Sequence, residues 1–291
     1  MRRAPYTITT GIGLDPAALA VSAELLARSN RHDATELLMA LKAADPAAEN
    51  LPLYLLARTE GDIVGVLELV GYHEVEGALI VAPDRRREGI GRALAAAATA
   101  QLAERDITGW LLTCDEALAG GAAFARALGG VLAHNEHRLT LDLTRVPPSH
   151  PQMGLIVRPA IAADRDDLAA ITAAAFGDLP TEVTKWIAQD ESRLDRRWFV
   201  ITIGARPIGS LRVVRGGEGL DITAFGVIPS QQGRGYGRAL LTQTIAALLT
   251  EGERRINIEV ATDNAAALGL YLSCGFVARH TYGYYRLGTA S

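Results

Sequence analysis

Apolar and polar positions along this chain follow two rhythms, and the order of rhythms occurs twice. In the second half, residues 155–159 read as a strand. Residues 164–176 place Leu168, Ile171 and Ala175 at three- and four-residue spacing, which puts one apolar stripe on a helix. Residues 181–191 read as a second helix, carrying Trp186. Three β-rich runs follow at 198–203, 208–214 and 220–227, divided by Gly204-Ala-Arg-Pro207 and by Gly216-Gly217, and they suit an antiparallel meander. A helix over 235–249, a strand over 255–260, a helix over 265–273 and a closing pair of strands within 276–287 complete this half. The first half repeats the plan: a hairpin at 53–70 turning at Gly61-Asp62, a strand at 78–81, a helix at 91–103, a strand at 110–113 and a helix at 122–128. The predicted order in each half is β-α-α-β-β-β-α-β-α-β. That is an α/β chain of the α+β kind, two tandem domains, each a central, mostly antiparallel mixed sheet flanked by helices.

The break between the halves is compositional. Pro147, Pro148, Pro151 and Gly154 disfavour regular structure and suit a linker. The expected division is a first domain over 1–146, a linker over 147–154 and a second domain over 155–291. At 291 residues the chain has room for two cores.

Within each half one turn carries candidate chemistry. The first copy is Val81-Ala-Pro83-Asp-Arg-Arg86-Arg87-Glu-Gly89-Ile90-Gly91-Arg92; the second is Val227-Ile228-Pro229-Ser-Gln-Gln232-Gly233-Arg234-Gly235-Tyr236-Gly237-Arg238. Val227 lies 146 residues after Val81, and the same offset carries Pro83 to Pro229 and Gly129 to Gly275. Each copy reads as strand, glycine-rich turn, helix. Amides at a helix N-terminus have no intrahelical partner and, with the helix dipole, form an anion site. Glycines let a phosphate approach the main chain, and Arg234 and Arg238 could add charge-assisted contacts. No Lys-Ser or Lys-Thr follows the glycines, which disfavours a phosphate-loop nucleotide site, and a dinucleotide fingerprint should open a βαβ unit, which this turn does not. A tight turn that binds nothing is the remaining alternative.

Composition narrows the class. Apolar residues make up 49% and charged residues 21%, and the net charge is −4, so nothing in the balance suggests nucleic acid. No segment approaches the ~20 apolar residues of a membrane span, and the N-terminus lacks a signal peptide's apolar run. Cys114 and Cys274, one per half, have no metal-ligand spacing and read as buried reduced thiols. A cytoplasmic protein without metal is expected, a monomer or a homodimer.

The pattern Gln232-x-x-Gly235-x-Gly237 after Val227-x-Pro229 resembles motif A of the GNAT N-acetyltransferase superfamily. Arg86-x-x-Gly89-x-Gly91 after Val81-x-Pro83 matches the same signature. Ile156-Val-Arg158-Pro159 and the run from Asn264 to Phe276 are similar to the family's opening and closing segments. The resemblance implies acetyl-coenzyme A as co-substrate. Its pyrophosphate would lie on the amides of Gln232 to Gly237, with Tyr236, Arg234 and Arg238 around them. Its pantetheine arm would lie between two splayed strands, near residues 225–227 and 256–260, with Val227 and Ile228 among the coenzyme-binding residues. Asn264 stands where the family often contacts that arm, Tyr271 where a phenol protonates the departing thiolate, and Asp221 where a carboxylate acts as general base. Glu259 is an alternative base. A main-chain amide near Val227 or Ile228 would hold the oxyanion.

The first-half equivalents of Asp221, Asn264 and Tyr271 are Val75, Leu118 and Ala125. Glu74 and Glu76 flank Val75, so a shifted base is conceivable there. The second domain is therefore expected to catalyse direct transfer to an amine in a ternary complex. The first is expected to be degenerate, with Val81, Arg86, Arg87, Gly89, Ile90, Gly91 and Arg92 as a second candidate coenzyme site. The acceptor is a small-molecule or peptide amine, for which Phe176, Trp186, Tyr282, Tyr284 and Tyr285 are candidate lining. The rival function is an acyl-coenzyme A sensor without turnover.

Overall fold

The computed structural model describes residues 5–44, 51–71, 74–148, 154–177, 179–191, 193–216 and 219–288, the side chains at 182, 186 and 189–191 excepted. In the first half the order is β1 (Thr7–Ile12), α1 (Pro16–Asp33), β2 (Leu53–Thr59), β3 (Asp62–Val70), β4 (Glu76–Val81), a 3-10 turn (Pro83–Arg85), α2 (Ile90–Ala103), β5 (Gly109–Asp115), α3 (Ala119–Ala127) and β6 (Val131–Leu141). In the second it is β7 (Leu155–Pro159), α4 (Arg165–Phe176), α5 (Pro180–Glu191), β8 (Arg196–Ile203), β9 (Arg206–Gly216), β10 (Gly219–Val227), a 3-10 turn (Pro229–Gln231), α6 (Tyr236–Thr250), β11 (Ile256–Ala261), α7 (Ala265–Ser273) and β12 (Phe276–Gly288).

The second half follows the predicted order. The first half has one helix, not two, between β1 and β2 among the described residues. Asp15 starts α1 by accepting the Ala18 amide at 2.8 Å, with Pro16 at the first position, and Ala34 ends it in the left-handed region. The offset of the repeat holds element by element: α2 begins at Ile90 and α6 at Tyr236, while α3 and α7 span equivalent residues. The expected closing pair of strands is one long strand, β12.

Packing divides the chain into two compact units that differ from the consecutive domains. Unit 1 comprises residues 1–136 and 280–291; unit 2 comprises 137–279. The physical reason lies in β6 and β12, at 11 and 13 residues the longest strands beside β9, each of which starts in one unit and ends in the other.

In unit 1 the strand order is β1-β2-β3-β4-β5-β12. Neighbours are antiparallel except β4 and β5, and Tyr282 to Gly288 of β12 pair with β5 from Asp115 back to Gly109. Its core gathers Leu94, Trp110, Tyr54 and, from the end of the chain, Tyr285 and Leu287. In unit 2 the order is β7-β8-β9-β10-β11-β6, with β10 and β11 parallel. Leu139 and Leu141 of β6 are buried there with Leu220, Ile222, Leu240, Ile245, Ile256 and Ile258, on the α6 side of the sheet. Leu168, Ala173, Val183 and Ile187 of α4 and α5 pack with Trp198 and Val200 on β8.

Candidate active site

Unit 2 opens its sheet beside the glycine turn. β10 pairs with β11 at Leu220, Asp221 and Ile222 and no further. Its ladder with β9 slips between Thr223 and Gly226, and Ala224 takes a φ of 46°, in the sparsely populated left-handed region. The two parallel strands part there, so backbone groups on the facing edges lack ladder partners. The Ile228 amide donates to Ile208 O at 2.9 Å and is thereby spent. Strand amides alternate in direction, so the Val227 N–H faces the opposite edge, toward the gap. Of the two amides expected near an oxyanion, that of Ile228 is therefore already paired. α4 closes over the bulge: a Cβ on Gly226 would lie 2.4 Å from the Ala175 Cβ and 3.9 Å from the Phe176 ring.

The turn after β10 has the form the motif requires. Gly235 is the N-cap of α6 at φ 81°, and Gly233 stands at φ 73°. A Cβ on either would meet open space. Gln232 donates its Nε2 to Val227 O at 2.9 Å, so its side chain clasps the turn to the strand end. Arg234 is exposed and makes no ion pair among the described residues. Arg238 points elsewhere than expected, donating to Ser273 Oγ at 2.6 Å and Ser273 O at 3.3 Å at the end of α7. Tyr236 is half-buried against the core and Gly237 lies in ordinary contact with Leu270, Phe225 and Val227.

Tyr271 is 6% exposed on α7, with its ring 6.0 Å from Phe225 and 6.3 Å from Phe276. Burial, then the neighbouring Cys274, push its phenol well above the usual value, so it stays protonated at neutral pH. Its hydroxyl makes no hydrogen bond among the described residues. Asn264 caps α7, its Oδ1 accepting the Ala267 amide at 3.1 Å.

Asp221 is not a lone carboxylate. Arg138 of β6, 3% exposed, donates to Asp221 Oδ1 at 2.9 Å and to Glu259 Oε1 at 3.0 Å. Burial opposes the charge on Arg138, but the two carboxylates outweigh it and hold its pKa above the usual guanidinium value.

The expected aromatic lining is largely corrected. Tyr282, Tyr284 and Tyr285 are packed in unit 1. Tyr282 donates to Glu36 O at 2.7 Å, Tyr284 stacks on His134 at 4.5 Å, and Tyr285 donates to Glu116 at 2.8 Å. Tyr284 and Tyr285 point to opposite faces of β12 and both are buried, and the unit they join follows from the strand's path. Phe176 is 54% exposed beside Gly226 and keeps its candidacy. The Trp186 side chain lies outside the described residues.

Unit 1 holds the matching turn with other contents. Arg86 donates its Nε to Val81 O at 3.1 Å, the same clasp that Gln232 makes. Its two remaining nitrogens hold both oxygens of Asp33 at 2.7 Å, so its charge is already met. Arg85 pairs with Glu88 at 3.0 Å, and Arg87 occupies the left-handed region at φ 66° where the second copy has Gly233. Gly89 is the N-cap of α2, Ile90 is buried, and Arg92 reaches Ala127 O at 3.4 Å. A Cβ on Gly91 would come within 3.2 Å of the Phe124 ring. A cleft of about 760 Å³ runs along this turn, between β4 and β5, lined among others by Val81, Gly89, Asp115 and Phe124. Val75 and Ala125 are buried, Leu118 makes no side-chain cap, and Glu74 pairs with Arg286 at 2.6 Å. Burial, with Glu116 nearby, pushes the Cys114 thiol beside this cleft up to about 12, which favours the protonated thiol at neutral pH.

Splayed parallel strands, an open glycine turn and a buried phenol define a class, and comparison with known proteins agrees. The model of the acetyltransferase (GNAT) family matches residues 22–129 and again residues 165–276. The chain belongs to that family: it is an acetyltransferase with two tandem domains of this fold, transferring an acetyl group to an amine, and enzymes of the family draw that group from acetyl-coenzyme A. It is 29% identical to a mycothiol acetyltransferase of Cellulomonas flavigena over 94% of this chain and 87% of that one. It is 30% identical to a mycothiol acetyltransferase of Streptomyces coelicolor over 98% and 96%. Among solved structures, a tandem GNAT protein from the clavulanic acid biosynthesis pathway superposes with a TM-score of 0.77 at 22% identity, covering 99% of both chains. A GCN5-related N-acetyltransferase from Sphaerobacter thermophilus gives 0.78 at 17%, covering 98% of this chain and 97% of that one, and these likenesses show the shared fold. No helix among the described residues is long and apolar enough to cross a membrane.

Proposed function

We propose that unit 2 is the working site and that it passes the acetyl group from acetyl-coenzyme A directly to an amine bound beside it. The observation that carries this is the parting of β10 from β11 next to Tyr271. By strand alternation the Val227 amide would point to the gap, and the buried Tyr271 ring lies 6.0 Å from Phe225 of the parted strand. The residues fit the co-substrate. The amides at the start of α6, opened by Gly233 and Gly235, suit a pyrophosphate, and unpaired strand edges suit the amides of a pantetheine arm.

Asp221 takes the ammonium proton, directly or through a water. The amine nitrogen attacks the thioester carbonyl, and the Val227 N–H stabilises the oxyanion. The carbon–sulfur bond breaks, and Tyr271 gives its proton to the departing sulfur. No covalent enzyme intermediate is needed. Similarity to mycothiol acetyltransferases along nearly the whole chain supports a mycothiol-type amine as acceptor. The full chain, in the reducing cytoplasm that its free buried cysteines suit, works as a monomer or homodimer.

The test is release of free thiol from acetyl-coenzyme A with a panel of amines: a mycothiol-type amine, amino sugars, amino acids and a peptide amine. Release well above hydrolysis with one of them is expected. No increase with any overturns the reading. A second reading applies to unit 1, whose cleft lies on a glycine turn but lacks the phenol and the carboxylate: it binds a coenzyme A without turnover, as a sensor would.

A further inference from the structure

We propose that Arg138 is a positioning residue for acetyl transfer: it fixes Asp221 as the base and neutralises Glu259 beside it. The proposal rests on the reading of unit 2 as the working site. Arg138 lies in β6, outside both segments that match the family.

The sheet of unit 2 has a polar face built from three strands. Arg138 and Thr140 project from β6, Asn257 and Glu259 from β11, and Asp221 from β10, while Leu139, Leu141, Ile256, Ile258, Leu220 and Ile222 alternate with them into the core. Thr140 donates to Asn257 Oδ1 at 2.9 Å, and Asn257 is cross-strand partner to Asp221. The guanidinium therefore sits on an ordered polar floor. It gives one terminal nitrogen to each carboxylate, a use of the planar fork that a lysine does not reproduce.

Stability alone is a weak reason for this cluster, since a buried ion pair is often no better than apolar packing of the same volume. Its charge has a use. Two carboxylates this close repel each other, and the guanidinium between them offsets that repulsion while holding both. The carboxylates are the exposed end, at 25% and 35% against 3% for Arg138. Asp221 spends Oδ1 on Arg138 and keeps Oδ2, and the residue beneath Oδ2 is Gly216, where a Cβ would come within 2.8 Å. Arg138 thus fixes one oxygen of Asp221 and leaves Oδ2 without a side-chain donor among the described residues.

The experiment compares full-length Arg138→Gln, Arg138→Lys, Asp221→Asn and the charge-balanced pair Arg138→Gln with Glu259→Gln. The probes are acetyl-coenzyme A and the panel amine with the fastest thiol release. Arg138→Gln should lower kcat roughly 10- to 100-fold, within the range of a general base, with KM for acetyl-coenzyme A little changed. The double variant should regain about 10-fold of that loss, because it removes the Glu259 charge that Arg138 no longer offsets beside Asp221. A double variant no faster than Arg138→Gln overturns the charge role. Should Arg138→Gln not fold, Arg138→Lys decides: wild-type kcat there overturns the fork, and a several-fold loss at unchanged melting temperature supports it. Full turnover in Asp221→Asn would remove the base reading beneath the proposal. Slow Asp221→Asn with normal Arg138→Gln would remove Arg138 and leave Asp221 standing.

Discussion

Tyr271 and Asp33 show how the setting of one side chain decides its chemistry. Tyr271 keeps its proton because burial disfavours the phenolate, which suits a donor that acts as the thiolate leaves. Tyr271→Phe keeps the ring against Phe225 and Phe276, so coenzyme binding by calorimetry should stay near wild type while kcat falls on the order of 100-fold. Unchanged turnover would exclude the phenol from the reaction. In unit 1, the bidentate hydrogen bond from Arg86 holds the Asp33 carboxyl below the usual carboxylate range, against the opposing effect of burial. A folded pKa below the unfolded value, near 3.9, stabilises fully above about pH 4 and is lost as pH falls through the folded value. The stability gap between wild type and Asp33→Asn, from urea midpoints between pH 6 and pH 2, should therefore close in acid. A gap constant across that range would show that the Arg86 clamp adds no charge-dependent stability.

The glycine turns are elements whose backbone was legible in full and whose side chains were not. The repeat gave their position, and both N-caps have positive φ where glycine was read, at Gly89 and Gly235. It could not show that Arg86 is already occupied by Asp33, fifty-three residues earlier in the chain. Nor could it show that Arg238 serves Ser273. Both depend on which helix end arrives beside the turn. Gly235→Glu tests the element. It forces an L-residue into the left-handed region, about 1–2 kcal/mol, and sets a carboxylate at the mouth of the α6 amides. Titration with coenzyme A should lose the unit 2 site altogether, and binding there at wild-type affinity would mean that the turn is not the phosphate site.

At the scale of the molecule, each unit is completed by a strand from the other half of the sequence. A fragment over 155–291 lacks Arg138, Leu139 and Leu141; one over 137–279 contains all of unit 2. Burying each leucine is worth about 1.5–3 kcal/mol, against a total of about 5–15 for a domain. The 137–279 fragment should melt cooperatively by circular dichroism and the 155–291 fragment should melt lower or not cooperatively. The reverse order would show that the linker at 147–154, and not the strand exchange, marks the folding boundary. The sequence by itself determined the order of elements in the second half, the duplicated turn and the family, because helix and strand periodicity, glycine and proline act within a few residues; among the described residues it overcounted a helix before β2 and split β12 in two. It also marked Asp221, Asn264 and Tyr271 as residues that the first half lacks at the same offset. Tertiary structure alone decided that residues 280–288 join unit 1, that Tyr282, Tyr284 and Tyr285 are core there, that the Ile228 amide is spent, and that Arg138 stands between Asp221 and Glu259. A two-residue rhythm says which face a strand buries and carries no record of which sheet edge it will find.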